Sequence, residues 1–298
     1  MNYYNDIKKE LINNENYKKV KDYSKNRNDL KTYYNVGKLI VDAQGGEERA
    51  KYGDGLIKQY SEKLTIELGK GYSARSLKYM RQFYLFQKWQ PVVAQLSWSH
   101  YTILLPLKDK NKINYYISQC ITYNLSKRVL MKKIKSNEYE RLDEKTKEKL
   151  ANNINVEAQD FIKNPILIKV FNDEEIINES RLKYYILENM EDFLHELGDG
   201  YSFIGSEYKI KIGNSYNYID LLLFNYKYNS FVVVELKVTA LKKDHVGQIL
   251  TYMKYIDETE KSINHEKTMG IIICKENNVF IMKYYQNDNI YSTIYELV

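Results

Sequence analysis

One hairpin-like segment constrains the fold of this chain more than any other feature. Two apolar, strand-like runs, residues 218–224 and 231–237, flank a short polar turn. We expect them to pair as an antiparallel hairpin in which residues whose numbers sum to 455 face each other. Asp220 and Glu235 satisfy this sum, so their Cβ atoms should lie about 5 Å apart. The segment therefore predicts two carboxylates side by side within an apolar strand pair.

A third charged residue belongs to the same cluster. Side chains alternate along a strand, so Lys237 shares a face with Glu235. Charges in apolar surroundings are costly unless they are paired or bind a metal, and a hard divalent cation relieves the repulsion between two carboxylates. The pattern predicts a metal site at which Lys237 orients or deprotonates a water, or stabilises charge on a phosphorus. The alternative is a structural grouping of Glu, Lys and Asp at the end of a sheet.

The chain is expected to contain two domains, a helical one at 1–150 and a mixed α/β one at 165–298, with the boundary in the polar stretch 136–165. Apolar residues at spacings of three and four predict helices in the first domain. We expect these at about residues 3–41, 54–68, from Ser73 onward, 110–123 and 126–135. The second domain should have the order αβββαββ. Its expected helices cover about 173–196 and 243–257, and its expected strands 201–212, 218–224, 231–237, 269–274 and 279–284.

Charge is distributed unevenly between the two halves of the chain. Residues 1–150 contain 30 Lys and Arg against 17 Asp and Glu, a net charge of +13, whereas residues 151–298 contain 15 against 22, a net charge of −7. A basic half suits contact with a phosphate backbone and an acidic half suits a divalent metal, although a solvated Lys-rich surface would explain the asymmetry equally.

The cysteines and the hydropathy exclude several classes of protein. The two cysteines, Cys120 and Cys274, form no CxxC pair, which argues against a structural zinc site and a disulfide scaffold. No apolar run approaches the roughly 20 residues needed to cross a bilayer. We expect a cytoplasmic protein without a membrane partner.

The hairpin segment resembles a known nuclease motif. Asp220 and Glu235-Leu236-Lys237 are similar to the D…ExK motif of the PD-(D/E)XK nuclease superfamily, although Ile219 stands where the name of the superfamily implies a proline. Other segments resemble the YhcG-like branch of that superfamily, and the similarity extends from about residue 30 to 285. In the second domain these are Phe193–Gly198, Phe203–Gly205 and Val246–Tyr252. In the first domain they are Lys51–Gly53, Gly71–Ser73, Tyr79–Tyr84 and Gln95–Tyr101.

The resemblance implies a restriction-endonuclease-like αβββαβ core, a Mg²⁺ cofactor that Mn²⁺ can replace, and phosphodiester hydrolysis. It also implies an acidic residue on the helix before the first strand, for which Glu188 is the first choice and Glu191 and Glu196 are alternatives. Gln248 resembles a glutamine that the superfamily often carries on the helix after the lysine strand. The resemblance further implies a winged-helix-like first domain.

The first domain contains a candidate DNA-binding helix that begins at Ser73. At 100° per residue, Arg75, Lys78 and Gln82 share one face, and Arg81 joins them in the predicted nucleic-acid-binding set. The opposite face is apolar, with Leu77, Met80 and Tyr84. The glycine-containing break at 69–72 before this helix is compatible with a helix-turn-helix, and an ordinary amphipathic surface helix is the alternative.

Together these observations predict an endonuclease that binds DNA through residues 30–140. Asp220, Glu235 and the Leu236 carbonyl would hold Mg²⁺, and Lys237 would act beside it, with roles in defence, mobile-element processing or repair. The superfamily often acts as a homodimer. Three alternatives stay open: a non-catalytic DNA-binding or regulatory protein on a nuclease scaffold, a ribonuclease, and an interaction module that has a partner in a restriction or toxin system.

Overall fold

The computed structural model describes residues 3–19, 25–46, 54–88, 96–152, 154–171, 178–285 and 289–298. It divides into two compact units, Met1–Ser136 and Asn137–Val298. The division falls at the beginning of the polar stretch 136–165, in which the sequence places the domain boundary.

The first unit is helical. Its α-helices are α1 (Tyr3–Lys19), α2 (Lys25–Ala43), α3 (Asp54–Leu68), α4 (Ala74–Gln87), α5 (Trp98–Leu104), α6 (Lys110–Tyr123) and α7 (Lys127–Lys135). The predicted helix at 3–41 is thus two helices, and residues 20–24 lie outside the described part of the chain. The described residues of this unit form no β-strand, so they supply none of the hairpin that a winged helix requires; residues 89–95 are not among them.

Close packing of α2 on α4 helps to form the core of this unit. A Cβ atom on Gly37 of α2 would lie 2.1 Å from the Met80 carbonyl oxygen and 2.8 Å from the Tyr84 Cβ, so this crossing requires glycine. Trp98 packs edge-on against Phe83. His100 caps α5, because its Nδ1 accepts a hydrogen bond from the Ser97 N–H. The Trp98–His100 segment is therefore structural.

The second unit is a mixed α/β fold. Its strands are β1 (Ile166–Ile168), β2 (Tyr201–Ile212), β3 (Ser215–Asn225), β4 (Ser230–Ala240), β5 (Met269–Glu276) and β6 (Ile290–Leu297). Its α-helices are α8 (Glu144–Ala151), α9 (Glu179–Glu188), α10 (Met190–Leu197), α11 (Lys243–Thr259) and α12 (Val279–Lys283). The predicted αβββαβ core is confirmed.

The six strands form one sheet in the order β1-β6-β5-β4-β3-β2. The β2–β3 and β3–β4 pairs are antiparallel, whereas the β4–β5, β5–β6 and β1–β6 pairs are parallel. One face packs against α9 and α10, and the other against α11. In the β3–β4 hairpin Leu221 faces Val234 and Asn225 faces Ser230, which confirms the predicted register.

Two predicted elements of the second unit differ from the structure, and strand β6 was not predicted. The helix expected at 173–196 is two helices joined at Asn189, and residues 172–177 lie outside the described ranges. The strand expected at 279–284 is wrong: the segment is helix α12, because the Asn278 side chain accepts a hydrogen bond from the Ile281 N–H and caps a helical turn. Strand β6, which the sequence analysis did not predict, takes the place beside β5.

Two further sequence expectations can be compared with the structure. Cys120 and Cys274 are both free, buried thiols. Across the described ranges, no helix is both long and apolar enough to span a membrane.

Candidate active site

The candidate site lies where β3 and β4 diverge. The last paired residues before the divergence are Leu221 and Val234, whereas β4 stays paired with β5 through Lys237 and, after an irregularity, at Ala240. In the resulting gap, the Asp220 Oδ2 accepts a hydrogen bond from the Leu236 N–H at 2.9 Å. The N–H and C=O of a residue in a strand point to the same side. The Leu236 carbonyl therefore faces the same gap as the Asp220 carboxylate.

Glu235 is the most buried acid of this cluster, with 1% of its surface exposed. Burial and then the neighbouring Asp220 charge raise the pKa of its carboxyl to about 7, against the lowering effect of Lys237. Its Oε1 atom is buried and has no hydrogen-bond partner among the residues that the structure describes. A buried acceptor without a donor costs roughly 1–3 kcal/mol, so this oxygen is suited to receive a ligand.

Lys237 connects two carboxylates. Its Nζ lies 3.3 Å from the Glu235 Oε2 and 3.4 Å from the Glu179 Oε2. Burial lowers the pKa of the ammonium, but the charges of Glu235, Glu179 and Asp220 outweigh burial and raise the pKa above its ordinary value. Lys237 therefore stays positively charged at neutral pH.

Helix α9 supplies two residues of the cluster that the sequence analysis did not single out. Glu179 contacts Lys237, and Lys183, one turn later, places its Nζ 2.8 Å from the Asp220 Oδ1 and 3.2 Å from the Glu207 Oε1. The signal in the sequence was Asn178, whose side chain accepts a hydrogen bond from the Arg181 N–H and marks where the helix begins. An acid and a lysine four residues apart share a face of such a helix.

The three predicted helix carboxylates lie elsewhere. Glu188, the first choice, is exposed at the end of α9. It follows Glu179 by nine residues, about two and a half turns, so it points to the opposite side of the helix. The Glu191 side chain is 92% exposed, and its nearest basic group is the His195 Nε2 at 4.0 Å. Glu196 forms an ion pair with Arg141. Glu179 therefore replaces Glu188 as the helix acid of the cluster.

Helix α11 approaches the cluster through its first turns. His245 lies near enough for the Lys237 charge, after burial, to lower its pKa, so it is neutral at neutral pH; its Nδ1 accepts a hydrogen bond from the Lys242 N–H. Gln248, one turn later, is half-buried, and its Nε2 donates to the Tyr252 hydroxyl at 3.0 Å. That hydrogen bond fixes the amide of Gln248 on α11.

The oxygen atoms around the gap can be compared with the ligands that a divalent metal ion prefers. Within the described ranges, no three side chains of His, Cys, Asp or Glu lie close enough to hold an ion on their own. The gap instead combines the Asp220 and Glu235 carboxylates with the Leu236 carbonyl. All are hard oxygen donors, which Mg²⁺ and Mn²⁺ prefer. The Glu235 Oε1, which has no donor, fits a cation in this gap.

The predicted nucleic-acid-binding residues lie on α4. Arg75, Lys78 and Gln82 are exposed, and Leu77, Met80, Phe83 and Tyr84 are buried on the other side. The Ser73 side chain caps the helix by accepting a hydrogen bond from the Ser76 N–H. Arg81 is half-buried and its Nε donates to the Gln44 Oε1 at 2.6 Å, so this residue is engaged within the fold.

The raised pKa of Glu235 predicts how the stability of metal-free protein depends on pH. The folded state holds this proton up to about pH 7, whereas the unfolded chain releases it near 4.5, so stability falls as the pH rises through this window. Glu235→Gln should abolish this loss, which amounts to about 3 kcal/mol. The measurement is urea unfolding in EDTA below pH 4.5 and above pH 7, with exposed Glu266→Gln as control. Equal pH dependence in wild type and Glu235→Gln would contradict the assignment.

Comparisons with known proteins agree with the two-part organisation. Residues 7–141 match the family model described as "DUF1016 N-terminal domain", and residues 159–296 match "YhcG PDDEXK nuclease domain". A protein of Escherichia coli named "Putative nuclease YhcG" is 27% identical over 285 residues, which covers 82% of this chain and 76% of that protein.

Two solved structures show partial similarity to this chain. "Structure of EndoMS-dsDNA2 complex" has a TM-score of 0.31 and 19% identity, covering 42% of this chain and 48% of that one. "Crystal structure of a repair endonuclease from Pyrococcus abyssi" has a TM-score of 0.29 and 19% identity, covering 41% and 48%. The chain thus spans about half the length of these two structures.

Proposed function

Because the chain belongs to the YhcG-like family of PD-(D/E)XK nucleases, we propose that it is a divalent-metal-dependent endonuclease that hydrolyses DNA phosphodiester bonds. One observation carries the proposal. Asp220, Glu235 and Lys237 converge at the gap between β3 and β4, and a buried oxygen of Glu235 has no hydrogen-bond donor in the described part of the chain. A cluster of this kind is more typical of a catalytic site than of a stabilising contact, because burying unmatched charge costs folding free energy.

Asp220, Glu235 and the Leu236 carbonyl would hold the ion, which we propose to be Mg²⁺ with Mn²⁺ as a substitute. When bound, such an ion polarises a phosphoryl oxygen and lowers the pKa of a water. Lys237 supplies a fixed positive charge for the negative charge that develops on the phosphate. Glu179 holds the Lys237 ammonium from one side, and Lys183 holds one oxygen of Asp220. These contacts position the catalytic groups before substrate binds.

Helix α4 is the proposed DNA-binding element of the first unit. Arg75, Lys78 and Gln82 lie on its exposed face, where the Arg75 guanidinium also donates to the Tyr79 hydroxyl of the same helix. The net charge of +13 on residues 1–150 favours association with a phosphate backbone. The Arg81 guanidinium donates to the Gln44 side chain. We therefore propose that Arg81 stabilises α4 and that the three exposed residues make the first contacts with DNA.

The test of the proposed function compares substrates and ions. Purified protein is incubated with supercoiled plasmid and with RNA, each in Mg²⁺ and in EDTA. We expect nicked and linear plasmid in Mg²⁺ and intact plasmid in EDTA. Cleavage of RNA alone would replace the proposal by a ribonuclease, and binding of DNA without cleavage in Mg²⁺ or Mn²⁺ would make the chain a non-catalytic DNA-binding protein.

Charge reversal on α4 should weaken DNA binding in a salt-dependent way. Each phosphate contact contributes about 0.9 to the slope of log K against log salt for duplex DNA, so Arg75→Glu with Lys78→Glu should reduce the slope by about 2. The measurement is fluorescence anisotropy with labelled duplex over a salt series. Lys31→Glu with Lys58→Glu changes the net charge equally on exposed residues of α2 and α3. Equal slopes for the two double variants would remove α4 from the interface.

A further inference from the structure

The β2–β3 hairpin carries a row of exposed side chains that leads to Asp220. Lys211 faces Tyr216 across the two strands, and Lys209 faces Tyr218. These four residues form what we call the Lys–Tyr strip. Tyr216 is 57% exposed and Tyr218 is 53% exposed, which is unusual for two large rings side by side.

The strip and the candidate active site share one strand. Tyr216 and Tyr218 occupy alternate positions of β3, so their side chains leave the same face, and Ile219, the next residue, is buried in the cluster on the opposite face. Asp220 lies at the end of this row, because Lys183 of α9 contacts both Asp220 and Glu207, which precedes Lys209 by two residues on β2. At about 3.4 Å per residue, Tyr218 and Tyr216 lie roughly 7 and 14 Å from Asp220 along the strand. A polymer bound at Asp220 can therefore continue along the strip.

Folding of the hairpin does not explain the strip. The opposite face carries Ile210 and Ile219, which are buried in the cluster that includes residues of α11. On the strip itself, the Lys209 Nζ lies 3.9 Å from the centre of the Tyr216 ring and the Lys211 Nζ lies 6.0 Å from it. Neither ammonium forms an ion pair with a carboxylate in the parts of the chain that are described. The strip thus exposes two positive charges and two rings.

Glu207, an acid at the Asp220 end, offsets only part of this charge. Lys183 binds both Glu207 and Asp220, at 3.2 Å and 2.8 Å. Because one lysine is shared by two carboxylates, these three residues have a net charge of −1, and the two lysines of the strip leave the row at +1. A basic row of this kind favours an anionic polymer as its partner.

Positive charges interleaved with aromatic rings fit single-stranded nucleic acid. The ammonium groups attract backbone phosphates, and exposed rings stack on bases that have left the duplex. In a duplex the bases already stack on each other, so the two tyrosines would find no partner. We propose that the Lys–Tyr strip binds an unpaired stretch of the DNA strand adjacent to the scissile phosphate. This inference rests on the proposed function and narrows its substrate to DNA with a single-stranded segment at the cut site.

The experiment measures binding of the full chain without cleavage. Fluorescence anisotropy in EDTA follows a labelled single-stranded oligonucleotide and a blunt duplex of the same length over a salt series. Lys209→Glu with Lys211→Glu should reduce the single-strand salt slope by about 1.4, since each phosphate contributes about 0.7. Tyr216→Ala with Tyr218→Ala should weaken single-strand binding roughly tenfold or more and leave the slope unchanged. Blunt-duplex affinity should change less in the tyrosine variant.

Matched variants distinguish the loss of this contact from a general change in net charge and from a loss of folding. Lys254→Glu with Lys267→Glu changes the charge equally on exposed residues elsewhere in the second unit and should retain the wild-type slope. Lys209→Arg with Lys211→Arg should retain affinity, because the charge is kept. Wild-type single-strand binding by both the lysine and the tyrosine variants would overturn the inference, as would equal losses for single strand and duplex in the tyrosine variant.

Two results separate a failure of the strip proposal from a failure of the nuclease proposal. If Asp220→Asn abolishes cleavage while the strip variants bind single strands normally, the nuclease stands and the strip is rejected. If the strip variants lose single-strand affinity while Asp220→Asn cleaves like wild type, the strip stands as a binding site and the catalytic assignment fails.

Discussion

Asp220→Asn should reduce Mg²⁺-dependent DNA cleavage by at least about 10²- to 10³-fold, the range seen when a group that stabilises transition-state charge is removed. One Asp220 oxygen accepts from the Leu236 N–H and the other binds Lys183. Asparagine retains one acceptor only, and its amide must face either a backbone N–H or an ammonium. The carboxylate charge is also lost. The readout is the initial rate of plasmid nicking over a range of Mg²⁺ concentrations.

Lys237→Met should reduce DNA cleavage by a comparable factor, but through the loss of a positive charge rather than of a metal ligand. Because Lys237 is not a metal ligand in this account, its removal should lower the maximal rate and leave the Mg²⁺ concentration for half-maximal rate nearly unchanged. Asp220→Asn should raise that concentration. Exposed Glu266→Gln, which should cleave like wild type, is the control. Cleavage within a few-fold of wild type in both active-site variants would refute the assigned roles.

Arg141→Met should be the most destabilising of the substitutions considered, by about 3–5 kcal/mol, the usual effect of leaving a buried charge without its partner. The Arg141 and Glu196 side chains are only 9% and 15% exposed. The Arg141 Nη1 also donates to the Pro165 carbonyl, and the Glu196 Oε2 also accepts from the Leu167 N–H. The pair therefore joins the 137–165 segment to α10 and β1. Urea unfolding at neutral pH measures the effect.

A surface pair provides the control for this prediction. Lys254 and Glu258 form an exposed ion pair on α11, so Lys254→Met should cost less than about 1 kcal/mol. Cleavage by the folded fraction of Arg141→Met should remain close to wild type. If Glu196→Gln instead abolishes cleavage and leaves the unfolding midpoint unchanged, Glu196 is a catalytic acid and its structural role is wrong.

The hairpin that carries the site could be predicted from the sequence because local rules determine it. Two apolar runs around a short polar turn permit few registers, and a shift by one residue would turn every buried side chain to the other face. The pairing of Leu221 with Val234 follows from this constraint. The proximity of Asp220 and Glu235 follows in turn, without knowledge of any other element.

The helix acid could not be predicted in the same way. Which carboxylate of α9 reaches the site depends on where the helix begins and which side packs on the sheet. Its start is fixed by the Asn178 cap, and Leu182, Tyr185 and Ile186 form its buried side. Glu179 then falls near Lys237, and Glu188 falls on the far side. A single sequence that is apolar at several spacings does not determine this rotation, so the sequence favours Glu188 whereas the structure brings Glu179 to Lys237.

Helix α12 and strand β6 show a second limit. Residues 279–284 are apolar and strand-like, yet Val279 and Phe280 are 73% and 82% exposed in a short helix. Strand β6 has a mixed polar pattern, but it lies between β5 and β1, where neighbouring strands satisfy its backbone. Both segments are rich in residues that favour strands, so tertiary pairing and not local propensity decides between them.

A crystal soaked in Mn²⁺ shows whether a metal ion binds at the gap between β3 and β4, since anomalous scattering locates the ion. We expect a peak in the gap between β3 and β4, within about 2.0–2.5 Å of oxygens from Asp220, Glu235 and Leu236. Asp220→Asn crystals soaked identically should show a weaker peak or none. A protein that cuts DNA in Mn²⁺ while its crystals hold the ion at other residues, or leave this gap without one, would contradict the account.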